Sequence, residues 1–152
     1  MKKYIVEGRI KIDKSVHTHL TTYHDPCNYG RKSERTFGQA YYEEPRWVTQ
    51  QCCENFVDMY PNRANNFCCG AGGGAWAAPY AEERIFYGRV KAKQIKDTGA
   101  KLLIAPCHNC RDQIMKSLRK EYDFTDVEVK YLWELVADSL IIEPHEVESE
   151  EE

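Results

Sequence analysis

This chain of 152 residues lacks any apolar run near the ~20 residues needed to span a bilayer. Its opening, MKKYIVEGRIKID, lacks the apolar stretch of a secretory signal. Basic residues are scattered and not interleaved with aromatics, which argues against a nucleic-acid surface. No linker or break in composition occurs before residue 143. A single soluble, cytoplasmic domain is expected over 1–142, with 42% hydrophobic residues to build its core.

Positive charge is missing from one place. Residues 143–152, EPHEVESEEE, hold six Glu and no Lys or Arg. The remainder has 18 acidic against 21 basic residues, so the net charge of −3 belongs to the end of the chain. The composition predicts a solvated, disordered acidic tail.

Cysteine, by contrast, is plentiful. Seven cysteines without a signal segment, and in odd number, fit a closed disulfide framework poorly. In a reducing compartment they point to metal binding or redox chemistry.

The pattern along the chain is α/β. HLTTYHDPC (19–27) reads as a strand stopped by Asp25-Pro26, and EEPRWVTQQCCENF as a helix with Pro45 near its first turn. FVDMY (56–60) and NNFCCG are further strand candidates. From about Ala78 to Asp97, residues Ala81, Ile85, Gly88, Ala92 and Ile95 fall on one helical face. KLLIAP (101–106) is a continuous apolar run of the kind buried on both faces of a sheet. A helix from about His108 to Lys120 follows, with Ile114 and Leu118 inward, then VEVKYL as strand and LWELVADSL as helix. Such alternation predicts a mostly parallel sheet flanked by helices.

TTYHDPC and LLIAPC echo one another, each a strand followed by Pro and Cys. Ligands collect at the carboxyl ends of strands in open α/β sheets, where Cys27, Cys68, Cys69 and Cys107 are expected. Cys107 and Cys110 form a C-x-x-C at a helix start, a spacing shared by zinc, iron–sulfur and dithiol sites. Five thiols at one edge exceed the four of a tetrahedral zinc, and adjacent Cys68 and Cys69 suit different metal ions. Iron–sulfur is therefore favoured over zinc. Gly70, Gly72, Gly73 and Gly74 strip side chains from beside the pair, so that backbone N–H groups could approach sulfur. No Lys-Ser/Thr follows them, unlike a P-loop.

Cys52 shares helical spacing with Val48 and Phe56 and reads as a buried apolar thiol, whereas Cys53 is expected about 100° round the helix, towards solvent. His108 inside CHNC and His24 ahead of Cys27 are candidates for moving protons or for orienting the loops. His17, His19 and His145 have no such context, and Trp133 is expected to be packing.

YHDPCNYGR, FCCGAGGG and IAPCHNC together resemble the CCG cysteine-rich domain of heterodisulfide reductase catalytic subunits. With EEPR and FVDMYPNR between them, they most resemble the C-terminal part of the related subunit of the sulfite-reductase-associated membrane complex. The resemblance implies a non-cubane [4Fe–4S] cluster held by Cys27, Cys68, Cys69, Cys107 and Cys110. It implies reduction, by single electrons, of a thiol's disulfide or of a small protein's disulfide or trisulfide, in anaerobic sulfur metabolism. The C-x-x-C-x-x-C runs of the ferredoxin-like part of such subunits are absent here, and one CCG stands where the full reductase has two. An excised domain or gene fragment is expected, with electrons from a ferredoxin-like domain or membrane-complex subunit. Two alternatives stay open: a non-catalytic electron relay in a quinone-linked complex, and a structural zinc module.

Overall fold

The structure, a computed structural model, describes residues 1–142. The acidic tail at 143–152 and His145 lie outside the described residues.

Three short strands form the centre: β1 (Thr21–Tyr23), β2 (Leu102–Ile104) and β3 (Glu128–Lys130). They lie in the order β1-β2-β3, all parallel. Leu102, Leu103 and Ile104 are each 3% exposed or less. A central strand covered on both faces needs this unbroken apolar run, and each such side chain contributes about 1.5–3 kcal/mol. The residues alternate between two cores. Leu103 joins Ala92, Ile95, Ile114 and Leu118 on one face, while Leu102 and Ile104 join Tyr23, Val48, Leu132 and Leu135 on the other.

The helices divide accordingly. Helix α1 (Lys2–Val6) and the polar helix α2 (Arg31–Phe37) precede α3 (Glu43–Cys52), in which Glu43, Glu44 and Pro45 open the first turn. Helix α4 (Ala81–Asp97) buries Gly88, Ala92 and Ile95, as its spacing predicts. Helix α5 (His108–Gln113) runs through a π-helical segment at Ile114–Leu118 into α6 (Arg119–Glu121). Helix α7 (Leu132–Asp138) closes the described chain against α3.

Three expectations require correction. FVDMY contributes a single parallel bridge, Thr21 to Phe56, rather than a strand. NNFCCG is not a strand: Arg63–Asn65 makes a 3-10 turn with Arg63 at φ 55°, and the Asn66 backbone N–H closes back on the Arg63 carbonyl instead of joining a ladder. Cys53 is 3% exposed, not solvent-facing, because α3 ends at Cys52 and the extended backbone at Cys53 (φ −136°, ψ 150°) carries it inward. Its thiol donates to the Thr49 carbonyl at 3.2 Å.

Candidate metal centre

The echo between TTYHDPC and LLIAPC is a pairing in register. Thr21, Thr22 and Tyr23 lie against Leu102, Leu103 and Ile104. The ladder runs one step further, His24 N–H donating to the Ile104 carbonyl and Ala105 N–H to the Lys130 carbonyl, each at 2.9 Å. Both segments then break at a proline, which has no N–H to continue a ladder. Cys27 and Cys107 thus leave neighbouring strands at the same end of the sheet.

Cys68 and Cys69 reach that end from a loop. Gly70 adopts φ +93°, and a Cβ there would stand 2.1 Å from the Arg84 carbonyl of α4. Gly88 answers from the helix, where a Cβ would meet the Cys69 carbonyl at 2.9 Å. These two missing side chains press the CCG segment onto α4. This is a packing reason for Gly70, beside the sulfur contact expected of it: its N–H also donates to Cys68 Sγ at 3.3 Å. Gly72 faces Cys27, whose Sγ would lie 3.7 Å from an added Cβ, and Gly73 adjoins open space.

The five thiols form one chain of contacts. Cys27 meets Cys68, Cys68 meets Cys69, Cys69 meets Cys110, and Cys110 meets Cys107. Protons divide unevenly along it. Hydrogen bonds from Cys27 and Cys69 pull Cys68 far below the ordinary thiol range. Cys107 falls to about 6 through the Cys110 thiol, helped by the N–H groups of Cys110 and Asn109 at the start of α5. The donors shift the other way: Cys27 and Cys110 rise, and Cys69 is pushed up to about 12, its contact with Cys68 and its burial outweighing the bond from Cys110. Sulfurs that compete for too few protons make a donor set suited to cations. Cys52 and Cys53 lie outside this chain, and burial raises both, Cys52 to about 11.

His24 stands among the sulfurs. It is 1% exposed, and one of its ring nitrogens lies within 4.8 Å of Cys69 and Cys110 Sγ. Neither nitrogen has a hydrogen-bond partner, and burial holds the imidazole well below its usual pKa. An orphaned imidazole beside Cys69 and Cys110 fits a bound metal group, whose atoms would satisfy it. His108 sits at the rim with its side chain 71% exposed. Its Nδ1 shares a hydrogen bond with the Tyr131 hydroxyl, and its Nε2 lies 3.7 Å from Asp112. Tyr131 stacks on Trp133 at 4.2 Å between ring centres, so Trp133 is half of an aromatic pair at the rim.

Sequence reasoning missed the polar groups beneath the centre. Arg46 makes a two-pronged ion pair with Asp25 at 2.6 and 2.7 Å, and its Nε reaches Asp58 at 2.8 Å. Asp25 also accepts from Arg63 N–H at 2.8 Å, so the Asp25-Pro26-Cys27 corner is fixed to α3 and to the 63–65 turn. Lys91 of α4 is wholly buried. Its signal was present: position 91 follows Gly88 by three and precedes Ile95 by four, on the inward stripe.

Residues 21–115 match the CCG family, described as a cysteine-rich domain. The chain is 33% identical over 145 residues, or 91% of its length, to a Hdr-like menaquinol oxidoreductase iron-sulfur subunit of Archaeoglobus profundus, of which it covers 25%. It is 30% identical over 141 residues, or 92% of its length, to a subunit of the dihydromethanophenazine:CoB--CoM heterodisulfide reductase of Methanosarcina acetivorans, of which it covers 32%. An EtfAB:quinone oxidoreductase of Syntrophomonas wolfei is 31% identical over 107 residues, 70% of this chain and 14% of that protein. The chain thus spans between a quarter and a third of the first two relatives. Among the described residues, no helix is long and apolar enough to cross a membrane.

Proposed function

The chain belongs to the CCG cysteine-rich domain family, and from that premise we propose that it is the iron–sulfur domain of a heterodisulfide-reductase-like oxidoreductase. Its centre is a non-cubane [4Fe–4S] cluster on Cys27, Cys68, Cys69, Cys107 and Cys110, and its reaction is reduction of a disulfide or trisulfide. The continuous chain of five thiol contacts carries this reading. Such a group, when bound, supplies electrons one at a time.

The chain's own residues supply the rest. The five thiols hold the group, and the Gly70 N–H offers a hydrogen bond to Cys68 sulfur. Gly72 and Gly73 keep the loop over Cys27 free of side chains. Reducing a disulfide consumes two electrons and two protons and yields two thiols. His108, exposed beside Cys107, is placed to pass protons at the rim, while neutral His24 adjoins Cys69 and Cys110 inside. Cys68 is exposed next to a hollow of about 390 Å³ lined by Phe67, Gly70, Tyr87 and Val90, which admits a partner's sulfur from outside. The electron donor is a ferredoxin-like domain or another component of a membrane complex, and the chain itself sits peripherally.

Relatives named as menaquinol and quinone oxidoreductases favour a second reading, in which the domain relays electrons and reduces no disulfide. The test is iron, acid-labile sulfide and zinc per chain, on protein made and purified without oxygen. About four irons with matching sulfide, and an EPR signal on oxidation, are expected. One zinc and no sulfide would sink the reading. Turnover of a disulfide with an artificial electron donor then separates reductase from relay.

A further inference from the structure

Lys91 has its ammonium group entirely out of water, which costs several kcal/mol unless the charge is compensated. Among the described residues, no carboxylate stands within ion-pair distance of it. Three acceptors surround Nζ instead: Asn66 Oδ1, Gln94 Oε1 and, at 3.6 Å, Met59 Sδ. Both amides are locked in that sense, because Asn66 Nδ2 donates to the Asp25 carbonyl and Gln94 Nε2 to the Pro61 carbonyl. A neutral amine has two N–H groups and a lone pair, which would face one of these acceptors. An ammonium has three N–H groups and no lone pair. The cage is shaped for the charged form.

The same helix puts Lys91 beside the sulfurs. Gly88, one turn earlier, lies directly under the Cys69 carbonyl. Burial pulls Lys91 down to about 7, opposed by Asp25 and by the sulfurs of Cys69, Cys110 and Cys68, which are thiolates when they hold a metal group.

We infer that Lys91 is a fixed positive charge set beneath the sulfur chain, which balances its thiolates and raises the reduction potential of the group they hold. This rests on the iron–sulfur reading. A nearby cation favours the more negative, reduced state, so removing it lowers the potential.

Two variants test the charge in different ways. Lys91→Met removes it, while Gln94→Glu leaves the lysine and sets a carboxylate against Nζ. Wild type and both variants are prepared without oxygen, their iron is counted, and the midpoint potential is read by titration followed by visible absorption. Both variants are expected to fall by about 59 mV or more, which is a tenfold change in the oxidised-to-reduced ratio for one electron. Unmoved potentials in iron-loaded variants overturn the inference alone. A fall in Lys91→Met without one in Gln94→Glu also overturns it, since packing and not charge would be responsible. Should Lys91→Met fail to fold, Gln94→Glu decides. Wild type that takes up no iron overturns the function proposed above together with this inference.

Discussion

Two pairs of adjacent cysteines occur in this chain, and they behave in opposite ways. Cys52 and Cys53 end a helix, are 0% and 3% exposed, and have thiols raised by burial. Cys68 is exposed with its thiol strongly acidified, and Cys69 is buried and joins Cys68 to Cys110. The dipeptide is the same, so the difference lies in what surrounds it. Cys52 packs with Val48, Leu135 and Val136 in one apolar cluster, and Cys53 is buried with its thiol on the Thr49 carbonyl. The second pair meets other thiols, an orphaned imidazole and a glycine on each side of a close helix contact. An isolated thiol in hydrocarbon keeps its proton, whereas thiols packed together compete for protons and give some up.

The sharpest way to break this comparison is to replace one member of each pair. Cys69→Ser is expected to abolish iron and sulfide uptake, at least tenfold below wild type, because Cys69 links the two halves of the sulfur chain. Cys52→Ala is expected to keep full iron content and to lose only about 1 kcal/mol of stability, the cost of a small cavity. Metal analysis with denaturant unfolding of the metal-free chain checks both, and equal iron loss in the two variants would end the distinction.

The support beneath the second pair comes next. Arg46→Met leaves Asp25 buried without its partner, and breaking such a pair costs about 3–5 kcal/mol. The loss is expected in the denaturation midpoint of the metal-free chain. Smaller again is Gly70→Ala, whose Cβ has no room before the Arg84 carbonyl; overpacking and the positive φ together cost about 1–3 kcal/mol and displace Cys68 and Cys69. Gly73→Ala shares the positive φ but meets nothing within 4 Å, so it is expected to retain iron and lose about 1 kcal/mol or less. If both alanines lose iron equally, loop flexibility and not the helix contact is what the site requires.

These residues also mark how far the sequence can be read. Strand β2 was legible because Leu102, Leu103 and Ile104 are apolar without a break, and α4 because its small and apolar residues keep a helical period. The expectation that strands bring the cysteines to one edge held for Cys27 and Cys107, whose segments pair in register. Cys68 and Cys69 arrive by a turn whose hydrogen bonds go to Asp25 and to α4, and such long-range partners leave no local period. The polar helix α2 passed unread because it buries nothing and so has no stripe. Lys91 and Arg46 were passed over for a shared reason: long basic side chains ordinarily reach solvent. Only their polar partners, distant Asn66 with Gln94 one turn on for Lys91 and distant Asp25 for Arg46, allow them inside.

The smallest effect belongs to the inert pair's surroundings. His17 accepts the Glu54 N–H at its carbonyl, tying down the chain just after Cys53. Its ring is buried, its Nε2 lacks a hydrogen-bond partner, and Asp138 lies 3.8 Å away. Burial, aided by Lys130, lowers its pKa below 6.5 despite Asp138 and Glu128. The unfolded chain therefore binds a proton at His17 more readily than the folded one, and stability falls as pH drops from 6.5 through the folded value. His17→Asn is expected to flatten that acid-side slope in the metal-free chain while leaving stability above pH 7 nearly unchanged. Iron content should not move, since His17 touches none of the five thiols. Were the slope to persist in His17→Asn, the acid sensitivity would belong to the other end of the sheet, and the first cysteine pair would lie in surroundings indifferent to pH.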